Sequence, residues 1–305
     1  MCANKMIKTA LTGLVTCFLV VLCMAQNGWA WGNDGHQIVA RVAAMNLSVK
    51  ARRNVAKLLG VSSSPTSVAN AMARAAIWPD TFLRTHAPKT KPWHFVDICR
   101  GASVTAGNLD PFCPGGQCIT KKIEEYRENI PKKKFDEFGG KGDLSLLIHF
   151  VGDIHQPLHC TTNADRGGNC VAVEKVHSDN LHSAWDTDLV KEVEAGSTIE
   201  ETADQLNEDF QDNPVDDSFD WSTGHATDIA LESSALAEKE IYSPLGIAKQ
   251  ACVVELAKCT SAPAAVQALD VKLEPDYVDD ASAVVRSQLT TAGMRLANLL
   301  NSMWP

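Results

Sequence analysis

His149-Phe150-Val151-Gly152-Asp153-Ile154-His155-Gln156-Pro157-Leu158-His159 is the stretch on which the reading of this chain turns. Leu144, Leu147, Ile148 and Val151 recur at helical spacing around His149. That pattern predicts a helix ending just before Pro157, since proline cannot continue the ladder. His149 and Asp153 stand four residues apart and so share one face of that helix. An imidazole and a carboxylate then point at one spot, and the turn at Pro157 returns His159 toward it. His182-Ser183-Ala184-Trp185-Asp186 repeats the pairing. Two such pairs with a further histidine are the donor set of several bound metal ions, and nitrogen plus oxygen ligands suit zinc best.

Working outward, helical periodicity dominates. Ile38, Val39, Val42 and Met45 fit one helix face after Asp34, and Val55, Leu58 and Leu59 fit a second that Gly60 ends. Leu181, Trp185 and Leu189 line the segment around His182, and 224–242 and 279–302 are rich in Ala and Leu with few breakers. Strand signals are scarce. Cys170-Val171-Ala172-Val173 is the best of them and predicts one arm of a small β-hairpin. Segments 86–92, 100–118 and 161–169 carry loop composition. The expected fold class is all-α, a single mainly helical domain.

The first thirty residues read as a secretory signal peptide. Lys5 and Lys8 precede an apolar run from about Ala10 to Ala25, and Gly28-Trp29-Ala30 supplies small residues at a cleavage site. The run is short for a membrane span, which takes about 20 apolar residues. The expected domain is therefore 31–305, secreted or periplasmic, with no membrane attachment after cleavage and a monomer as the simplest assembly. Losing Lys5 and Lys8 takes the formal charge from −9 to −11. So acidic a chain is a poor non-specific binder of polyanions, yet bound divalent cations would make one spot on it attract phosphate. Seven of the ten cysteines lie beyond the leader, and export favours disulfides. Local pairing predicts Cys113–Cys118, Cys160–Cys170 and Cys252–Cys259, with Cys99 left over.

Cleavage would expose Trp31, whose α-amine and carbonyl form a chelating pair, with His36 close by in sequence. Trp78-Pro79-Asp80 and Trp93-His94-Phe95-Val96-Asp97 follow. Each motif alone reads as core or loop more often than as a site. Taken in order with His-x3-Asp-x5-His and Asn-Leu-His-x3-Asp, they resemble the zinc-dependent single-strand nucleases of the S1/P1 family over 31–186. Beyond Asp186 only length and helical character agree.

The resemblance implies a fold of the phospholipase C/P1 nuclease type with three zinc ions per chain. By matching position, Asp80, His94, His149 and Asp153 would hold the first. Asp153 would bridge to a second held by Trp31 and His36. His159, His182 and Asp186 would hold the third. The implied reaction is hydrolysis of phosphodiester bonds in single-stranded DNA and RNA by metal-activated water, leaving 5′-phosphates, with 3′-nucleotidase activity on nucleotides. Phe95 and Asp97 would stack on and hydrogen-bond a base, Arg84 would clamp phosphate, and Asn169, in Asp165-Arg166-Gly167-Gly168-Asn169, would line the cleft. Arg84 departs from the family pattern, falling four residues after the metal aspartate rather than three. His155, on another helix face from Asp153, reads as structural, and His86, His177 and His225 as solvated. A secreted zinc phospholipase C is the alternative. That family typically has Glu at the position of Asp186 and lacks the Trp-His-Phe-x-Asp platform. A non-catalytic zinc-binding protein is a third reading.

Overall fold

The computed structural model describes residues 31–105, 107–212, 219–221 and 225–305. The expected signal peptide lies outside them. The helices are α1 (Asn33–Met45), α2 (Val49–Leu59), α3 (Pro65–Trp78), the single turn α4 (Arg84–His86), α5 (Ile119–Asn129), α6 (Gly139–Asp153), the single turn α7 (Leu181–Ser183), α8 (Leu189–Glu194), α9 (Ile199–Asp212), α10 (Ala226–Leu236), α11 (Ala264–Gln267) and α12 (Pro275–Met303). The all-α expectation holds.

Local signals set the boundaries. The Ser48 and Ser64 hydroxyls accept N–H groups at the starts of α2 and α3, with Pro65 opening α3. Gly60, left-handed at φ 73°, ends α2. Pro79 brings no N–H to the ladder after α3, and there the helix widens into a π-turn, Pro79–Leu83. A second π-turn, Ala184–Asp188, joins α7 to α8. Segment 86–92, expected as loop, is largely a 3-10 helix, Pro88–His94.

α1 lies between α3 and α12, and α6 packs against α3, α5 and the near side of α12. Gly293 of α12 lets that helix sit close on α1: a Cβ there would lie 2.5 Å from Val42 Cγ1. α6 is buried on every side from Gly142 to Asp153. Its apolar residues are the centre of one contiguous core, and truncating one of them, Leu147 for example, costs about 2–5 kcal/mol. His149 and Asp153 are thereby carried into the interior. Among the described residues no helix is long and apolar enough to cross a membrane.

The small β element contains the expected arm. β1 (Ala172–Glu174) meets Asn180 through one antiparallel bridge, all that forms of a local hairpin. Its full partner is β2 (Asp270–Lys272), which runs parallel to it after a long connection.

Two of the three expected disulfides are corrected. Cys113–Cys118 forms as expected, but the others are Cys99–Cys252 and Cys170–Cys259, and the free thiol is the buried Cys160 rather than Cys99. Short loops close cheaply, which favoured local pairs. The fold overrides that preference by laying 252–259 across two segments distant in sequence. The long bridges span 153 and 89 residues, a separation at which loop-entropy arguments give roughly 4–5 kcal/mol each.

One buried acid lies away from the histidines. Asp143 on α6 accepts the Asp136 N–H through Oδ2, while Oδ1 has no partner. Burial, then the neighbouring Asp136 carboxyl, pushes Asp143 up to about 8. The folded chain therefore keeps a proton that the unfolded chain releases near 3.9. Stability contributed by that proton is present at low pH and is lost as pH rises toward 8. Asp143→Asn keeps an uncharged acceptor and should remove this slope. The melting temperature of the variant should gain on wild type steadily from pH 5 to pH 8. A gap constant with pH would show that Asp143 is ionised in the folded protein.

Candidate metal centre

Five side chains from four segments converge at the C-terminal end of α6. α1 supplies His36, the π-turn after α3 supplies Asp80, the 3-10 helix supplies His94, and α6 supplies His149 and Asp153. Asp153 is at the middle. Its Oδ1 lies 3.1 Å from His36 Nε2, and its Oδ2 lies 3.0 Å from His94 Nδ1 and 3.2 Å from His149 Nε2. Asp80 Oδ1 is 3.8 Å from the same two nitrogens of His94 and His149. The two oxygens of one carboxylate thus face different imidazoles, the arrangement of a bridging ligand. Beside this group, Asp186 Oδ2 lies 3.3 Å from His182 Nε2, and the His182 ring stacks on His159 at 4.9 Å. Ligand atoms of His36, Asp80 and His149, of His94, His149 and Asp153, and of His159, His182 and Asp186 cluster tightly enough to hold a metal ion in each group.

Ring orientation follows from the backbone. Nδ1 of His149, His159 and His182 donates to the carbonyls of Ala76, His94 and Gly167 at 2.6, 2.7 and 2.6 Å. A carbonyl only accepts, so each Nδ1 carries a proton and each Nε2 is turned inward, where it presents a lone pair whenever the ring is neutral. On the acid side, Gln156 donates to Asp186 Oδ1 at 2.5 Å. Among the buried atoms with no hydrogen-bond partner are His36 Nδ1 and Nε2, Asp153 Oδ1, His159 Nε2 and Asp186 Oδ2. An orphaned buried polar atom costs about 1–3 kcal/mol. Several of them, belonging to the three His/Asp groups, fit a set of cations.

Electrostatics agree for three of the rings. Burial lowers His36 to about 4 and His182 to about 3, helped by the neighbouring His149 and His159, and burial lowers His159 as well. These rings are neutral near pH 7, the form that binds metal. Burial also acts to lower His149, but the Asp153 and Asp80 carboxylates prevail and raise it to about 9. Burial opposes charge on Asp153, yet His149 holds that carboxyl well below the usual range. Burial drives Asp186 well above it.

A cleft of about 630 Å³ opens onto Asp80, His94, His159 and His182. Phe95, Asp97, Arg84 and Asn169 line its walls. The residue sequence from 31 to 304 matches the family described as S1/P1 Nuclease.

This chain belongs to the S1/P1 nuclease family.

Nuclease S1 of Aspergillus oryzae (strain ATCC 42149 / RIB 40) is 31% identical over 67% of this chain and 71% of its own length. Endonuclease 2 of Arabidopsis thaliana is 27% identical over 93% of this chain and 94% of its own. Nuclease P1 of Penicillium citrinum is 28% identical over 90% of this chain and 97% of its own.

The S1/P1 motifs are thus gathered around one cleft. Trp31 is fully buried against Gly35 and beside His36 over Gly152, and the Gly32 N–H donates to the Asp186 carbonyl at 2.7 Å. His155 stands apart from the cluster as expected, donating through Nδ1 to the Val151 carbonyl. His86, His177 and His225 are exposed. Arg84, four residues on from Asp80 across the π-turn Pro79–Leu83, keeps to the same face and lines the cleft with it. Sequence reading missed Lys91, Glu255 and Leu256 on the cleft wall. The pair of cysteines flanking Glu255 and Leu256 was the available signal for two of them. In the glycine loop, Gly167 has φ 59° and a Cβ there would meet the Leu158 carbonyl at 2.2 Å. Glycine is required where that loop supplies the carbonyl for His182.

Gly152 is a second required glycine, this time for the S1/P1 site itself. A Cβ there would lie 2.8 Å from His36 Nδ1. Alanine is the better helix former by about 1 kcal/mol. Gly152→Ala should therefore keep or raise helicity in metal-free protein while displacing His36. After dialysis, elemental analysis should find less bound metal per chain than in wild type. Full metal content would show that the ring has room to move.

Proposed function

We propose that this chain is a secreted zinc-dependent nuclease that hydrolyses phosphodiester bonds of single-stranded DNA and RNA to 5′-phosphate products, with 3′-nucleotidase activity on nucleotides. The observation that carries this reading is the convergence of three buried His/Asp groups, with orphaned ligand atoms, on a cleft walled by an aromatic side chain and a cation. The names of the S1/P1 relatives support it. Neutral imidazoles with carboxylates suit zinc.

Asp80, His94, His149 and Asp153 would hold one zinc. Trp31, through its α-amine and carbonyl, His36 and the second oxygen of Asp153 would hold another. His159, His182 and Asp186 would hold the third. Bound there, zinc would supply an activated water and would neutralise charge on the departing oxygen. The chain itself holds and aims the substrate. Arg84, on the face of Asp80, would pair with a non-bridging phosphate oxygen. Phe95 would stack on a base, worth about 1–3 kcal/mol and available only to an unpaired base. Asp97 and Asn169 would bond the base and its sugar-phosphate flank. The main chain between Phe95 and Asp97 is tied to the metal side, because the Val96 N–H donates to the His159 carbonyl at 2.9 Å. The phospholipase reading has no observation here in its favour.

The mature protein should contain about three zinc ions, and Asp153→Ala should lose more than one of them along with cleavage of single-stranded DNA. Activity within a few-fold of wild type would reject Asp153 as a shared ligand. The N-terminus gives an independent test. Only cleavage at Ala30–Trp31 turns the Trp31 nitrogen into an amine, and an amide is a poor metal donor at neutral pH. Mature protein carrying one added N-terminal Gly should bind about one zinc fewer and lose most turnover. Equal zinc and equal turnover would exclude Trp31 as a ligand.

A further inference from the structure

Residues 248–262 form an irregular strap along the outer side of the cleft, and it is fastened at both ends. At its root the buried Asn163 side chain donates to the Ala248 carbonyl at 3.0 Å and accepts the Gln250 N–H at 2.9 Å. Beyond that, Cys252 is bonded to Cys99, two residues after Asp97, and Cys259 to Cys170, the residue after Asn169. Each disulfide therefore joins the strap to the neighbourhood of a cleft-lining residue. Between them Glu255 and Leu256 line the cleft. Glu255 holds φ 56°, a left-handed conformation that costs a non-glycine residue, and this turns its N–H onto Asp97 Oδ2 at 3.0 Å.

We propose that the strap Cys252–Cys259 is the specificity wall of the cleft, with the Glu255 N–H as the positioning group that aims the Asp97 carboxylate at a nucleobase. The inference rests on the nuclease reading given above. Oδ2 is committed to Glu255, leaving Oδ1 to accept from a base. Burial raises Asp97 to about 6, so the carboxylate is ionised at pH 7.5. An ionised carboxylate accepts N–H groups and is repelled by carbonyl oxygens. Guanine offers adjacent donors at N1 and N2, whereas the single N3 donor of uracil is flanked by two carbonyls. The wall therefore favours guanine over uracil, and the strap sets how strongly.

The test uses zinc-loaded mature protein at pH 7.5, with GpA and UpA as substrates and bis(4-nitrophenyl) phosphate as a base-free ester. Wild type should prefer GpA. Glu255→Pro removes the N–H and cannot adopt positive φ. It should lower the GpA:UpA ratio of kcat/KM at least tenfold, chiefly through KM for GpA, and by far more than it changes the base-free ester. Glu255→Gly keeps the N–H and suits positive φ, so its ratio should stay within threefold of wild type. Cys99→Ala with Cys252→Ala frees one end of the strap and should lower the ratio at least fivefold, which decides the matter if the proline variant does not fold. A wild type that cleaves both dinucleotides equally, an unchanged ratio in the cysteine pair, or a loss in the glycine variant as large as in the proline variant would overturn the proposal. A zinc-loaded wild type that cleaves neither dinucleotide would instead reject the nuclease reading.

Discussion

The Asp153 carboxylate, fully buried and facing three imidazoles, is the constraint on which the rest of the molecule depends. Removing an isolated carboxylate from water costs several kcal/mol unless charge or hydrogen bonds compensate. Here compensation comes from His36, His94 and His149, which belong to α1, the 3-10 helix before Phe95 and α6. All three must be in place at once. Satisfying this one acid therefore fixes the relative position of elements more than a hundred residues apart in sequence. Cations at the orphaned atoms would tighten the same constraint, joining folding to metal binding.

The disulfides do complementary work. The helical core needs no covalent help, since α1, α3, α6 and α12 bury an extended apolar interior. The bridges Cys99–Cys252 and Cys170–Cys259 instead secure the irregular segment 252–259, whose Val253 stays exposed and whose Leu256 alone packs against the core. Rigidity is thus divided between packing on the metal side of the cleft and sulfur bridges on the outer side.

What was readable in the sequence follows the range of the signal. The i, i+4 pairs His149/Asp153 and His182/Asp186 are local, and helical periodicity placed them without help from distant residues. The end of α2 at Gly60 was legible in the same way, whereas the cleft placement of Phe95 came only through the family resemblance. The π-turns were not, because nothing in hydropathy separates a turn of four residues from one of five. The pairing of β1 with β2 and two of the disulfides depend on which distant segments the fold lays side by side, and no local pattern carries that. Glu255 was invisible for a further reason: its main-chain N–H is what touches Asp97, and every residue except proline has one.

The anchors of the three inward-facing rings have a consequence for how this site tolerates change. Nδ1 of His149, His159 and His182 is held by main-chain oxygens at residues 76, 94 and 167. A side-chain anchor can be deleted by a single codon change, but a peptide oxygen persists whatever residue stands there, provided that residue can hold the backbone path, which at 167 takes glycine. Ring orientation is therefore inherited through the path of the chain rather than through residue identity. Sequences can drift far apart around such a centre while the histidines keep their aim, so long as the backbone beneath them does not shift.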